Sequence, residues 1–321
     1  MRRRESLALS LRVTLALLAS RQAWAEPALP ALPQLQPAQL DHAQTFELTS
    51  RHTGQRYRIW LGLPDGPLAP GQRGYPALLA LDGQAAFALM EPQRARPELR
   101  SEFRRAKMSG RRPGLVLGIG YASGDPIDVD ARALDYTPTN HCAPCDKLSP
   151  RHGGAPRFLD FIELELLPTL ARVLPQVPLD PQQLSLFGHS YGGQFTLYTL
   201  LNRPALFRRY WASSPSLWFG DRFLLKDLAA RLAALDKPPG ERRVHIAVGL
   251  LEQAADPSRT AERNARLAAN RMVDNARDFS AALRASDWPG LRLSLAELPG
   301  HDHGAMFMQG AAAVLDFAFG D

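Results

Sequence analysis

The chain has only two cysteines among 321 residues, which excludes a disulfide-rich scaffold. It has no apolar run of 18 or more residues, so a membrane-spanning helix and stable membrane insertion are not expected. It lacks internal repeats and low-complexity tracts, which excludes a repeat architecture. A surplus of positive charge is missing too once the N-terminus is set aside. The formal charge is +6, but residues 1–25 carry five Arg against one Glu, so the remainder is only about +2. Nucleic acid is therefore not expected as a partner, because it requires a concentrated basic surface.

What is present begins with Arg2, Arg3 and Arg4, then an apolar run from Val13 to Ala19, then Ala23-Trp24-Ala25. A basic segment, an apolar segment and small residues at a cleavage site spell a signal peptide, with cleavage expected before Glu26. Residues 26–44, rich in Pro, Ala and Gln, read as an extended leader, and residues 45–321 as one catalytic domain. Both cysteines lie in His141-Cys142-Ala143-Pro144-Cys145. A redox pair would open a helix just after a strand, whereas this one follows the turn-rich Thr137-Pro138-Thr139-Asn140. Zinc would need two further ligands, and His141 and His152 stand at no recognised spacing. In an oxidising compartment Cys142 and Cys145 are expected to form a small disulfide pinning a surface loop.

The domain reads as alternating strands and helices. Strands are predicted at Tyr57–Leu63, Tyr75–Leu81, Leu115–Gly120, Leu184–Phe187, Tyr210–Ser213, Val244–Gly249 and Leu291–Leu295. Several are continuously apolar, as strands buried on both faces must be. Helices are predicted within Phe87–Ala106 and over Phe158–Leu174, Gln194–Leu201, Phe223–Leu235, Ala261–Ala285 and Ala305–Phe319, and Tyr121 to Pro156 reads as one long irregular connection. Such alternation makes a mostly parallel central sheet covered by helices on both faces, the α/β class.

The strongest motif is Gly188-His189-Ser190-Tyr191-Gly192, which fits G-x-S-x-G between an apolar strand and a helix. On so sharp a turn the Ser190 hydroxyl is thrust outward as a nucleophile. The Tyr191 amide stands at a helix N-terminus, where it can meet a developing oxyanion. This arrangement is that of the α/β-hydrolase fold, in which the general base follows the last sheet strand. His303 is the candidate, since Gly304 beside it would let the imidazole approach another backbone; His301 is the alternative, and His189 is expected to point elsewhere. The acid should follow the preceding strand, where Glu252 and Asp256 both stand, with Glu252 preferred. The second oxyanion amide is expected from Gln84, after the Tyr75–Leu81 strand. This machinery calls for no metal and no cofactor.

The chain resembles the esterase D-like α/β-hydrolases, and within them the periplasmic esterases that open catecholate siderophores of the enterobactin type. The resemblance rests on Leu81-Asp82-Gly83-Gln84, Arg132 with Asp135-Tyr136-Thr137-Pro138, and Gly153-Gly154 with Arg157-Phe158. It continues through Gly188 to Gly193, Ser213-Ser214-Pro215-Ser216-Leu217-Trp218, and His303-Gly304 with Met306-Phe307. It implies a periplasmic serine esterase acting on the trilactone of ferric or iron-free siderophores, with Ser190, His303, Gln84 and Tyr191 in the roles above. Relatives of similar pattern act on S-formylglutathione or on feruloyl and acetyl esters. One departure touches the acid. Where these siderophore esterases often carry Gly-Glu-x-Glu, this chain has Gly249-Leu250-Leu251-Glu252, keeping only the second acidic position.

An anionic ester substrate suits two further features. Arg94, Arg96, Arg100, Arg104, Arg105, Lys107, Arg111 and Arg112 would form a basic rim, and Arg132, in the long connection, would offer its fork to catecholate oxygens. Trp218, together with the Tyr191 ring, would pack against catechol rings.

Overall fold

The computed structural model describes residues 40, 43–68, 70–94, 111–140 and 149–320. Most of the expected leader with its cleavage site, Cys142, Cys145 and the basic residues from 96 to 107 lie outside the described residues, while the leader's last two residues, Ala43 and Gln44, already belong to the first strand.

The strands are β1 (Ala43–Thr49), β2 (Arg56–Gly62), β3 (Tyr75–Leu81), β4 (Leu115–Tyr121), β5 (Leu179–His189), β6 (Arg209–Ser213), β7 (Arg242–Gly249) and β8 (Leu291–Leu298). They form one sheet in the order β1-β2-β4-β3-β5-β6-β7-β8. The β1–β2 and β2–β4 pairs are antiparallel, and the remaining five pairs are parallel. The helices are α1 (Gly83–Met90), α2 (Val129–Tyr136), α3 (Ala155–Asp160), α4 (Leu167–Val173), α5 (Tyr191–Asn202), α6 (Leu228–Ala234), α7 (Ala261–Asn270), α8 (Met272–Ala285) and α9 (His303–Phe319).

The continuously apolar strands are double-faced. Leu78 and Ala80 of β3 pack with Phe87 of α1 and Val314, Leu315 and Ala318 of α9. Their neighbours Ala77, Leu79 and Leu81 face the opposite layer, with Phe158, Phe195 and Phe279. Side chains of a strand alternate between faces, so covering both demands apolar residues at every position. This is the α/β-hydrolase arrangement of layers.

Four elements differ from the sequence expectation. The first is β1, an edge strand whose outer face is polar, which masks its alternation. The second is α2, inside what reads as irregular chain; Asp128 caps it by accepting from the Ala131 amide at 3.0 Å. Its inward face carries Arg132 and Asp135, so the apolar stripe that marks a helix is broken. The third is the expected long helix over 261–285, which is cut at Arg271, where φ is 49°. There Gln253 accepts from the Val273 and Asp274 amides and caps α8, the half that packs inward. The fourth is the expected helix from Phe223, where Asp227 in a left-handed conformation delays the start of α6 to Leu228. Pro168 interrupts the expected helix over Phe158–Leu174. It lacks an amide hydrogen, and the turn before it widens into a π-helical segment over Phe161–Leu166.

Behind the sheet's C-terminal edge lies a buried polar group on α2. The Tyr57 and Tyr121 hydroxyls donate to Asp135 Oδ2 at 2.7 and 3.2 Å. Burial is the largest influence and raises the Asp135 carboxyl to about 7, against the lowering effect of both tyrosines. In the unfolded chain an aspartate titrates near about 3.9. The folded state therefore retains this proton between those values. The contribution to stability is complete at acid pH and is lost as pH rises through about 7. Asp135→Asn is expected to flatten the fall in stability from about pH 4 to 8, with about 4 kcal/mol involved. Denaturant unfolding across that range measures it, and an unchanged slope would refute the assignment.

Candidate active site

The parallel strands deliver their C-terminal ends to one edge, where open α/β sheets bind ligands. β3 ends at Asp82-Gly83-Gln84, β5 at His189-Ser190, β6 at Ser213 to Ser216, β7 before Glu252 and β8 before His303.

Ser190 sits between β5 and α5 with φ 60° and ψ −117°, a conformation an L-residue adopts only under constraint. The constraint is visible around it. A Cβ on Gly188 would stand 2.1 Å from the Gly192 carbonyl oxygen, and one on Gly193 2.7 Å from that of Ser213. Only glycine at these places lets strand and helix close on the turn. The Ser190 amide donates to the Ser213 carbonyl at 3.0 Å, and its carbonyl accepts from the Ser216 amide at 3.1 Å. Its hydroxyl lies 3.3 Å from that of Ser216.

His303 is the first residue of α9, behind the N-cap Asp302, and its ring packs against that of His189, the residue before Ser190. Its Nδ1 hydrogen-bonds Glu252 Oε1 closely. Glu252 is 2% exposed, and its other oxygen accepts from the Ser214 hydroxyl and the Gly249 amide, each at 2.8 Å. A carboxylate so held keeps the proton on Nδ1 and leaves Nε2 as the basic nitrogen, the relation needed for general-base work. Asp256, the other acidic candidate, accepts instead from Ser258 and pairs with Arg259 at 3.6 Å. His301 Nδ1 is directed to the Pro299 carbonyl at 2.9 Å. Gly304 makes no close approach to another backbone. A Cβ there would meet only Asp302 Oδ1, at an ordinary 3.7 Å. The close approach is at Gly249, where a Cβ would stand 2.2 Å from the His301 carbonyl oxygen.

His189 does not point away, as the sequence suggested. Its ring centre is 4.5 Å from that of His303 and 5.3 Å from that of Phe307. Burial, then the neighbouring His303 and Arg132, holds its pKa well below the ordinary histidine range. It thus stays neutral and adds no second positive charge beside an imidazolium at His303.

Gln84 and Tyr191 occupy the first turns of α1 and α5, so both amides stand at positive helix ends on this edge. A Cβ on Gly83 would lie 2.4 Å from the Ile119 amide nitrogen, which shows how tightly α1 starts against β4. The two amides can share a negative oxygen developing above Ser190.

Arg132 does not offer its fork to the open edge. It is 9% exposed, and it donates to Asp82 through Nε (2.8 Å) and Nη2 (3.0 Å) and to the His189 carbonyl through Nη2 (3.2 Å). The basic rim also falls away in its described members. Arg94 is buried against Glu91 and the Leu63 and Gly114 carbonyls, Arg111 pairs with Asp316, and Arg112 reaches Gln183. Gly114 and Gln183 precede β4 and the paired core of β5, so these arginines lie at the strands' N-terminal ends, opposite Ser190. Of the aromatic candidates, Tyr191 is 6% exposed and packs edge-on to Phe219, whereas Trp218 remains part-exposed with its ring 6.1 Å from that of Tyr191.

Three side chains of the cluster had no role in the sequence reading: Ser214 on Glu252, Ser216 on Ser190, and Asp82 on Arg132. The run Ser213-Ser214-Pro215-Ser216 directly after a strand was the available sign.

Residues 50–282 match the family described as "Putative esterase". The chain is 31% identical over 261 residues to the ferri-bacillibactin esterase BesA of Bacillus subtilis (strain 168), covering 80% of this chain and 82% of that protein. It is 32% identical over 262 residues to the siderophore triacetylfusarinine C esterase of Aspergillus fumigatus, covering 77% and 83% respectively. Among solved structures, the siderophore hydrolase EstB from Aspergillus nidulans matches with a TM-score of 0.73 at 26% identity, over 89% of this chain and 97% of that one.

Proposed function

The chain belongs to the esterase family that its residues 50–282 match, and from that premise we propose a serine esterase that hydrolyses the backbone esters of siderophores. Hydrolysis of ester bonds follows from the family. The substrate class is supported by the relatives, whose names specify ferri-bacillibactin and triacetylfusarinine C.

The observation that carries the mechanism is the Glu252–His303 pair beside the constrained turn at Ser190. In the proposed reaction the Ser190 oxygen attacks the ester carbonyl carbon while His303 Nε2 takes the hydroxyl proton. The carbonyl π electrons move to oxygen, which the Gln84 and Tyr191 amides hold. Collapse of this intermediate breaks the acyl–oxygen bond, and His303 returns its proton to the departing alkoxide. Water, deprotonated by His303, then releases the acid and regenerates Ser190. Glu252 orients His303 and balances its positive form throughout.

The preferred substrate is a cyclic tri-catecholate lactone of the enterobactin type, iron-loaded or free, met in the periplasm after export. Opening the lactone separates the iron-binding arms, lowers their effective concentration around the metal and loosens their hold. Trp218, part-exposed at the rim of the site, is the aromatic surface proposed to meet a catechol ring. Recognition of the anionic iron complex is not assigned to Arg132 or to the described arginines of the basic run, for the reasons above.

The test uses protein purified from the periplasm, expected to begin at Glu26 and to show no titratable thiol at Cys142 or Cys145 before reduction. Its kcat/KM is compared for ferric enterobactin, S-formylglutathione and methyl ferulate. A clear preference for the siderophore is expected. Preference for either of the others would remove the substrate assignment while leaving the esterase intact.

A further inference from the structure

We propose that Arg132 is the positioning residue of the oxyanion site, a strut that sets the distance between its two amides; this rests on the serine-esterase reading above. The observation is a symmetry of attachment. Arg132 bonds Asp82, two residues before Gln84, and the carbonyl of His189, two residues before Tyr191. One planar group therefore ties the start of α1 to the start of α5 at the same offset from each donor.

The attachment is rigid on both sides. Toward α1 the contact is a two-pronged ion pair, which fixes the plane of the Asp82 carboxylate. The Asp82 backbone is itself left-handed, at φ 53°, and its carbonyl accepts from the Ala85 and Ala86 amides. Its amide donates to the Tyr136 hydroxyl at 3.1 Å. Toward α5 the guanidinium carbon lies 5.6 Å from the centre of the Tyr191 ring, and on α2 it lies 5.5 Å from that of Tyr136. Tyr191 is thus held through its ring by the group that fixes the carbonyl two residues upstream. Two non-glycine residues with positive φ, Asp82 and Ser190, flank the strut. The Ser190 conformation is one that an L-residue keeps only under constraint, whereas aspartate tolerates the left-handed region of Asp82 more readily. A lysine could match the charge but not bridge two acceptors in one plane.

Because the oxyanion exists only during reaction, loosening the strut acts on turnover and not on ground-state binding. A displacement of about 1 Å at such a site costs about 10²-fold in rate. Arg132→Ala and Arg132→Lys are assayed in the full chain with neutral p-nitrophenyl acetate and with anionic ferric enterobactin. Inhibition by a trifluoromethyl ketone, which forms a tetrahedral adduct at serine, is measured alongside. The expected result is a fall in kcat of about 10²-fold on both esters, KM within about twofold, and a matching weakening of the ketone. Sub-denaturing guanidinium chloride should restore part of the Arg132→Ala turnover, which a merely structural loss would not allow. Should Arg132→Ala not fold, Arg132→Lys and Asp82→Asn carry the same comparison. A rise in KM confined to the anionic ester, with kcat intact, would instead make Arg132 a substrate contact and overturn the proposal, as would unchanged kcat on both esters. Failure of the serine-esterase reading is seen separately, as full activity in Ser190→Ala.

Discussion

Ser190→Ala is expected to lower kcat/KM for any ester substrate by at least about 10⁴-fold while leaving the fold in place. The residual rate would come from the oxyanion amides and from substrate positioning, which do not need the hydroxyl. The structural cost is small. Alanine can keep the same strained turn, since the glycines around it and the Ser213 and Ser216 backbone contacts are unaffected. Only the 3.3 Å contact with the Ser216 hydroxyl is lost, a neutral hydrogen bond contributing about 1 kcal/mol, which for a domain this size moves Tm by only about 2–4 °C. Turnover within tenfold of the parent, with circular dichroism unchanged, would remove Ser190 as the nucleophile.

Glu252→Gln is the second large effect, expected at about 10³- to 10⁴-fold in kcat, smaller than for loss of His303 itself. The near-isosteric amide cannot both satisfy its surroundings and leave His303 Nε2 as the basic nitrogen. If its oxygen faces His303, its NH₂ meets the Gly249 amide, donor against donor. If it is flipped, the NH₂ forces His303 to accept through Nδ1 and leaves Nε2 protonated, unable to take the Ser190 proton. The first orientation leaves a buried donor unmatched and should cost about 1–3 kcal/mol of stability, whereas the flipped one keeps the hydrogen bonds and places its cost on catalysis alone. Stopped assays on purified mutant, with denaturant melts beside them, separate the two effects. A mutant as fast as the parent would mean that Ser190 and His303 work as a dyad.

The layered sheet was legible because its strands are buried on both faces and so spell unbroken apolar runs, YPALLAL above all. Ser190 was legible because the glycines of its turn are a steric necessity that leaves letters in the sequence. The Glu252–His303 pair could be narrowed only by strand order, and Asp256 stayed open until the hydrogen bonds separated the two acids. Arg132 was noticed, but its partners were not. Sequence places a charged residue near an edge but does not reveal which way it turns, and here Asp82, fifty residues upstream, claims it. The described members of the basic run, Arg94, Arg111 and Arg112, differ from expectation similarly, since density of arginine along the chain says nothing about which end of the strands receives it. Helix α2 escaped because its buried face is built from polar groups that satisfy one another, a pattern without apolar periodicity.

The sheet's two outer strands bear on how the protein avoids its own kind. β1 and β8 each have a neighbour on one side only among the described residues, and such a border invites a strand from another molecule. On β1, Glu47 is engaged by Arg58 and Arg56 of β2; on β8, Glu297 is clamped by Arg277 and Arg292 leans on Glu241. A foreign strand aligning along either border would have to strip water from these charges or break the pairs. The ladder is thus closed chemically where geometry leaves it open, and edge-to-edge aggregation is disfavoured at both ends.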